Sequence, residues 1–103
     1  FEGTLPTLNI GTYGGASCDP RIERMAVELC DASPFSTVLN GRFKGGWTTR
    51  HYGDPASGVH AIQMEITQSA YMEEKAPWTY LPEQAECLRK YLSLLLDQLR
   101  KQI

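Results

Sequence analysis

Residues 7–39 read TLNIGTYGGASCDPRIERMAVELCDASPFSTVL, and this stretch decides the fold. Thr7–Gly11 and Ser36–Leu39 are short β-prone runs bounded by residues typical of turns, which predicts two strands. An amphipathic run from Pro20 to about Ala32 lies between them and predicts a helix. Because a strand, a helix and a second strand in this order form a crossover unit, we expect a right-handed one at the centre of an α/β fold.

The predicted helix has a start signal, a periodic apolar face and a stop signal. Asp19 can accept hydrogen bonds from the first free backbone N–H groups, and Pro20 is compatible with the first helical position. Apolar side chains then recur at helical spacing, at Ile22, Met25, Ala26, Leu29 and Cys30. Ser33–Pro34 ends the helix, because a proline ring disfavours helical geometry in the residue before it.

Beyond this unit, the sequence predicts a long loop followed by a third strand. Residues 40–58 are rich in glycine and charge, which is typical of a loop. Val59–Ile66 is apolar and β-prone, and we expect a buried strand whose side chains alternate between the two faces of the sheet. The alternation places Gln63 and Glu65 on one face and His60 on the other, so His60 and Glu65 should not converge on one ligand.

The residues from Leu81 onward predict a C-terminal helix of about 20 residues. One apolar stripe runs along it, formed by Leu88, Leu92, Leu95, Leu99 and Ile103 and widened by Tyr91, Leu94 and Leu96. Its charged residues are expected to form a solvated surface. Together, these elements predict a three-layer α/β fold with a mixed, mostly parallel sheet flanked by helices.

The composition argues against several kinds of partner. The net charge is −2 and the 10 Lys and Arg residues are spread along the chain, so no basic surface for nucleic acid is expected. No apolar run approaches the ~18 residues of a membrane span, and the N-terminus lacks the layout of a secretory signal. Cys18, Cys30 and Cys87 fit no metal-binding or redox spacing; we expect reduced, mostly buried thiols in a cytoplasmic protein, with Cys18 the one to test for reactivity.

Chemically active side chains are concentrated in residues 40–72, NGRFKGGWTTRHYGDPASGVHAIQMEITQSAYM. The motifs that matter here are Asn40–Gly46, Thr49–Gly53, Pro55, Gly58–Ala61, Gln63, Glu65, Tyr71 and Met72, preceded by FEGTLP at residues 1–6, by Asn9–Thr12 and by Cys18. Together they resemble the N-formylglutamate amidohydrolases, zinc-dependent deformylases that release formate and glutamate. The resemblance covers the C-terminal part of that family and fades after about Tyr80.

The resemblance implies a zinc-exopeptidase-like (phosphorylase/hydrolase-like) fold, of which these 103 residues would be a C-terminal fragment of one amidohydrolase domain. It also implies a catalytic zinc ion. The metal ligands would come from the N-terminal portion of the same protein, since no His-x-x-Glu pair or suitably spaced histidine stands in this chain. The fragment alone should then be inactive. The implied substrate is a small dicarboxylate, N-formyl-L-glutamate, hydrolysed within histidine degradation.

Glu65 is the candidate general base. It lies near the end of an otherwise apolar strand, where burying a carboxylate is costly unless a cation, a metal or a hydrogen-bond donor faces it. In zinc hydrolases, a glutamate beside the metal takes a proton from the bound water and passes it to the leaving amine. The alternative is an ion pair with Arg42 or Arg50 that serves stability alone.

Arg42 and Arg50 are candidate substrate-binding residues. N-formylglutamate carries two carboxylates, and a guanidinium group binds a carboxylate through two parallel N–H donors. Gly46, in the glycine turn between the arginines, could supply a backbone N–H donor close to a ligand. Asn40 could orient a ligand or act as a turn residue. For either arginine, the alternatives are solvation at the surface and pairing with Asp54.

His51 is the second candidate catalytic residue, because imidazole is the side chain most easily tuned near neutral pH. It could stabilise a tetrahedral oxyanion, donate to a substrate carboxylate or ligate a metal. His60, within the predicted strand, is interpreted as a structural histidine with its own hydrogen-bond partner.

These residues predict metal-dependent hydrolysis of the amide bond in N-formyl-L-glutamate. A related zinc amidase or carboxypeptidase, acting on another N-acyl amino acid or on a peptide, would need a wider groove and only one arginine at the substrate. A non-catalytic carboxylate-binding domain would bind glutamate analogues without a metal. The sequence leaves open the identity of the metal and the oligomeric state.

Overall fold

The computed structural model describes residues 3–102. Phe1 and Glu2 of the family resemblance and Ile103 of the apolar helix stripe lie outside them. In chain order the elements are β1 (Leu8–Gly11), α1 (Pro20–Asp31), β2 (Thr37–Leu39), α2 (Trp47–Tyr52), a 3₁₀ turn (Pro55–Ser57), β3 (Gln63–Ile66), a second 3₁₀ turn (Gln68–Ala70) and α3 (Pro82–Arg100).

The three strands form one sheet in the order β2-β1-β3. Strand β1 pairs with β2 in parallel and with β3 antiparallel. The predicted strand-helix-strand unit is confirmed, because α1 connects the two parallel strands. The sheet is mixed, as predicted, but parallel pairing does not predominate, since the two pairings run in opposite senses.

Helix α1 forms where the sequence predicts it. The Asp19 carboxylate accepts a hydrogen bond from the Arg21 backbone N–H at 2.8 Å, which caps the first turn. Ile22, Ala26 and Cys30, spaced four residues apart, are buried against the sheet and α3.

One face of the sheet forms the hydrophobic core. Leu8 and Ile10 of β1 point to this face, together with Met64 and Ile66 of β3, because directly paired residues of neighbouring strands share a face. The buried cluster is completed by Cys30 of α1, Ala70 of the second 3₁₀ turn and Leu88 of α3. Both long helices therefore lie on the same side of the sheet, so the prediction of three layers is wrong for the described residues.

The opposite face carries polar side chains. Asn9 of β1 is paired with Glu65 of β3, and Gly11 with Gln63, so these side chains project away from the core. We call Asn9, Gln63 and Glu65 the polar face. The predicted alternation along β3 is confirmed for Gln63–Ile66, since Met64 and Ile66 pack in the core.

Strand β3 is shorter than predicted, and this part of the prediction is wrong. Residues 59–62 do not join the ladder with β1. Val59 instead closes a turn through backbone hydrogen bonds with Asp54, and its side chain is 49% exposed. Ala61 bonds to Ser17 through both its N–H and its carbonyl. These local partners satisfy the backbone groups that a longer strand would have offered to β1.

The prediction of an uninterrupted loop over residues 40–58 is also wrong, because it contains α2 and a 3₁₀ turn. The six residues Trp47–Tyr52 contain no glycine or proline, and Gly46 and Gly53 mark their two ends. The glycines on either side concealed this short helical segment.

Helix α3 confirms the predicted C-terminal helix, with Leu88 and Leu95 buried on its inner stripe. Leu96, expected to widen the stripe, is 67% exposed instead, although the adjacent Leu95 is buried. The charged side is solvated, as predicted, with Glu86–Arg89 and Asp97–Arg100 as exposed ion pairs. No helix within residues 3–102 is long and apolar enough to cross a membrane.

Candidate active site on the polar face

The segment after β2 is fixed to the end of β1 by Asn40. This residue has a positive φ of 51°, a conformation that asparagine tolerates better than most residues. Its backbone N–H donates to the Ile10 carbonyl at 2.7 Å. Its side-chain Oδ1 accepts from the Thr12 N–H at 2.9 Å, and its Nδ2 donates to Thr12 Oγ1 at 2.8 Å. Asn40 therefore acts as a turn residue here, and any ligand contact would be additional to these bonds.

Thr12 is a buried hydrogen-bonding centre that the sequence analysis missed. Its side chain is 0% exposed, and its hydroxyl donates to Glu23 Oε2 of α1 at 2.6 Å. The same oxygen accepts from Asn40 Nδ2 and from the Gly15 N–H at 3.1 Å. One hydroxyl thus connects β1, α1 and the segment after β2. No sequence pattern predicts this role for Thr12, since a threonine commonly follows a strand.

Close backbone contact fixes the rest of this segment. The Tyr13 N–H donates to the Lys44 carbonyl at 2.7 Å. A Cβ atom at Gly11 would lie 2.9 Å from the Gly45 nitrogen, so only glycine allows β1 to approach the turn this closely. Gly45 itself has a φ of 125°, which L side chains rarely adopt. The predicted loop is therefore a firmly anchored turn.

Gln63 connects this turn to Glu65. Its Oε1 accepts the Gly46 backbone N–H at 2.6 Å, and its Nε2 donates to Glu65 Oε1 at 3.2 Å. The amide orientation is determined, because the atom facing the Gly46 N–H must be the acceptor. The Gly46 N–H, predicted as a possible donor to substrate, is thus already donated to Gln63.

Glu65 is exposed, whereas its sequence context predicts a buried carboxylate at the end of a buried strand. That expectation is wrong. Glu65 lies on β3, an edge strand of the sheet, and points away from the helices. In the part of the chain that the structure describes, the carboxylate therefore needs no cation to compensate for burial. The alternative of a stabilising ion pair is also wrong, since neither Arg42 nor Arg50 pairs with Glu65 within residues 3–102.

The two arginines occupy different surroundings. Arg42 is exposed and lines a cavity of about 200 Å³ next to Asn9, Val38 and Gly41. The Asn9 Nδ2 donates to the Pro6 carbonyl at 2.7 Å, which holds this side chain in the cavity wall. Arg42 is thus the arginine placed beside a concave surface that adjoins the polar face.

Arg50 lies on α2 and is also exposed. Its Nε donates to the Gly46 carbonyl at 3.4 Å, and its guanidinium carbon lies 5.9 Å from the centre of the Tyr13 ring. Neither arginine forms an ion pair with Asp54 among the described residues, so that alternative is wrong as well.

His51 lies on the exposed side of α2 and stacks on Trp47. The ring centres are 4.2 Å apart with an angle of 13° between the planes, and Tyr52 packs edge-on against His51. Residues four apart on a helix are neighbours, so the Trp47–His51 contact follows from α2 and was missed because α2 was not predicted.

His60 is held away from the strand. Its Nδ1 accepts the Asp19 backbone N–H at 3.0 Å, beside the start of α1. His60 therefore has the partner expected of a structural histidine.

The cysteines are free thiols. Burial is the main cause that raises the pKa of Cys18 to about 11, and the negative charges of Glu23 and Asp19 add to it. Burial also raises the pKa of Cys30. A thiol that stays protonated and is 1% exposed is a poor nucleophile, so Cys18 is a packing residue.

The described residues do not fit a metal ion. No group of three or more His, Cys, Asp or Glu side chains within residues 3–102 converges on one point. His51 stacks on Trp47, His60 is bonded at the start of α1, and Glu65 is bonded to Gln63. A zinc site cannot be assembled from these three side chains as they stand.

The fold is that of a small α/β protein with a mixed three-stranded sheet, whose polar face carries the candidate site. The chain superimposes over 100% of its length on 38% of the crystal structure of N-formylglutamate amidohydrolase from Ralstonia eutropha JMP134, with a TM-score of 0.83 and 22% identity. This likeness concerns the fold.

The sequence comparisons define the family. The model of the family described as N-formylglutamate amidohydrolase matches residues 1–72. The chain is 52% identical over 100 residues to the N-formylglutamate deformylase of Pseudomonas putida, and 49% identical to that of Pseudomonas aeruginosa. The chain belongs to the N-formylglutamate amidohydrolase family, which confirms the resemblance found in the sequence. It spans 38% of the length of these relatives, and the relatives align with 96% of it, past the point near Tyr80 where the resemblance was expected to fade.

Proposed function

We propose that the protein to which this chain belongs hydrolyses N-formyl-L-glutamate to formate and L-glutamate. The observation that carries this proposal is the 52% identity to a relative named N-formylglutamate deformylase, together with 49% to a second one. The reaction adds water to the formyl carbon and breaks its bond to the amide nitrogen, which leaves as the amine of glutamate.

In this proposal Arg42 and Arg50 bind the two carboxylates of the substrate. Both side chains are exposed cations without an ion-pair partner among residues 3–102, so neither would have to break a pair to bind an anion. Arg42 borders the cavity beside Asn9, and Arg50 is oriented by Gly46 and Tyr13. Asn40 and Gly46 hold the turn between the two arginines and thereby set their separation.

Glu65 is the proposed general base, which takes a proton from the attacking water and passes it to the leaving nitrogen. This role is supported by the position of the Glu65 carboxylate on the polar face. There it accepts a hydrogen bond from Gln63, and Glu65 is paired across the sheet with Asn9, which lines the Arg42 cavity. His51 is proposed to stabilise the negative charge that develops on the formyl oxygen.

Zinc remains part of the proposal through the family resemblance alone. Because the described residues do not fit a metal ion, we derive no step through one and propose that its ligands come from parts of the protein outside residues 3–102. A cytoplasmic location and a place in histidine degradation are further proposals.

The arginine assignment is tested in the full-length gene product with two substrates. Arg42→Met and Arg50→Met should each raise KM for N-formyl-L-glutamate by about 10-fold or more, the loss expected for a charge-assisted pair. With N-formyl-L-glutamine, which lacks the side-chain carboxylate, only the arginine that binds the α-carboxylate should still matter. Lys44→Met is the matched control, because it removes an exposed cation from the same turn.

The outcomes separate the proposals. Absence of formate release by the unmodified protein, with or without added zinc, would refute the deformylase function. Release of formate with KM unchanged in both arginine variants would keep the function and refute the role of the arginines. A metal-free protein that binds glutamate and never turns it over would instead be a carboxylate-binding domain.

A further inference from the structure

A continuous chain of hydrogen bonds joins Arg50 to Glu65. The Arg50 Nε donates to the Gly46 carbonyl at 3.4 Å, and the N–H of the same glycine donates to Gln63 Oε1 at 2.6 Å. Gln63 Nε2 then donates to Glu65 Oε1 at 3.2 Å. Each donor in this series of hydrogen bonds has one acceptor, and the shortest bond, from Gly46 to Gln63, is the middle one. The two ends are the residues to which the proposed function assigns substrate binding and proton transfer.

The central amide cannot be reversed. A backbone N–H only donates, so the Gln63 atom at 2.6 Å must be the oxygen, and its NH₂ group must point to the carboxylate. A Cβ atom at Gly46 would lie 3.1 Å from this oxygen, so glycine leaves the room that the short bond needs. The side chain of Gln63 is therefore fixed by the turn and not by Glu65.

Glu65 needs such a fixed partner because of where it lies. It is exposed on an edge strand, and an exposed glutamate has several rotamers of similar energy. A base must keep its oxygen within hydrogen-bond distance of the attacking water. The donor from Gln63 favours the one rotamer in which Glu65 Oε1 accepts this bond.

We propose that Gln63 is a positioning residue for the hydrolysis, holding the Glu65 carboxylate in one orientation and at a set distance from the glycine turn to which Arg50 is bonded. The inference rests on the proposed function, in which Glu65 is the base. Gln63 itself makes no contact with the reacting atoms.

The test compares Gln63→Met and Gln63→Glu with the unmodified full-length protein. Gln63→Met keeps the length of the side chain and removes both bonds; kcat should fall about 10- to 100-fold, as is usual for a residue that orients a catalytic ligand, while KM stays within about 3-fold. Gln63→Glu replaces the donor by a second carboxylate beside Glu65. The acidic limb of its kcat/KM profile should therefore move about one pH unit upward. Gln68→Met, an exposed glutamine in the next turn, is the control and should leave both measurements unchanged.

Glu65→Gln is measured alongside, so that two kinds of failure can be told apart. If Glu65→Gln retains full activity, Glu65 is not the base and the proposed mechanism fails. If Glu65→Gln is inactive but Gln63→Met has an unchanged kcat and pH profile, the positioning role of Gln63 is refuted. A lower midpoint of thermal unfolding together with an unchanged pH profile would show a merely structural glutamine and would refute it as well.

A second readout does not depend on activity. The side-chain ¹³C signal of Glu65, followed by NMR through an acid titration, should have a higher titration midpoint in Gln63→Glu than in the unmodified protein, because a second carboxylate would then lie beside it. Superimposable titration curves for the two proteins would show that residue 63 does not lie against Glu65, and would overturn the proposal even if the unmodified protein hydrolysed none of the substrates offered.

Discussion

The two faces of the small sheet show how one set of strands separates folding from chemistry. Leu8 and Ile10 of β1 are buried against the helices, whereas Glu65, paired with Asn9 between them, is exposed on the other side. Because side chains alternate between the two faces along a strand, one residue packs in the core while the next projects from the opposite face. A change at Ile10 should cost stability, and a change at Glu65 should cost activity while leaving the fold intact.

Glu65→Gln should give the largest effect, and it changes only the polar face of the sheet. The substitution keeps the shape and removes the proton acceptor, so kcat should fall by about 10² to 10⁴-fold, the range attributed to a general base. The midpoint of thermal unfolding should not change, since the carboxylate is exposed and forms no ion pair among the described residues. Formate release and calorimetry measure the two quantities. Glu73→Gln, an exposed residue in the connector before α3, is the control. Unfolding at a lower temperature in Glu65→Gln would show that the two faces are not independent.

Ile10→Ala is the corresponding change on the core face of the sheet. Ile10 is 0% exposed at the centre of the cluster, and truncation of such a side chain costs about 2 to 5 kcal/mol. Urea unfolding of the full-length protein measures this loss, and the activity per folded molecule should be retained. Leu96→Ala, at a side chain that is 67% exposed, should cost less than about 0.5 kcal/mol. Equal losses in the two variants would contradict the burial pattern.

The core face was readable from the sequence because its signals are local. Asp19 and Pro20 mark the start of α1, the apolar spacing marks its buried side, and alternation along Gln63–Ile66 separates the two faces of β3. The long leucine stripe gave α3 for the same reason. Each of these signals depends on neighbours within one or two turns of the chain.

The candidate site was readable only in part. Its residue types could be identified, but the exposure of Glu65 depends on β3 being an edge strand, which is a property of the whole sheet. The bonds from Thr12 to Glu23 and from Gln63 to Gly46 join positions 11 and 17 residues apart, and no local pattern announces them. Helix α2 was missed because flanking glycines outweighed its own short run.

Thr12→Val tests whether the polar face depends on the buried hydroxyl that joins it to α1. Valine keeps the shape but leaves Glu23 and Asn40 without their shared partner, which should cost about 1 to 3 kcal/mol. Thr12→Ser keeps the hydroxyl and should recover most of this loss. Because Asn40 holds the turn before Arg42, KM for N-formyl-L-glutamate should also rise in Thr12→Val. Thr79→Val, at an exposed threonine, serves as the control. A stable Thr12→Val with unchanged KM would mean that the hydroxyl is dispensable.

The smallest expected effect concerns Cys18, a buried thiol just before α1 that titrates only in alkali. Its pKa is raised from 9.0 to about 11 in the folded protein, chiefly by burial, so the folded state favours the protonated thiol. Stability should therefore be complete below pH 9 and decrease as the pH rises through 11, because the unfolded chain ionises first. At pH 10 the loss from this one group should be about 1 kcal/mol.

Cys18→Ala removes the titration, so its free energy of unfolding should decline less between pH 7 and pH 10 than that of the unmodified protein. At pH 7 the side chain at position 18 is uncharged in both proteins, so the difference between their free energies of unfolding at this pH measures the effect of the substitution on packing. Parallel curves from pH 7 to pH 10 would show that the thiol ionises as easily in the folded protein as in the unfolded chain, and that burial at the start of α1 does not protect it.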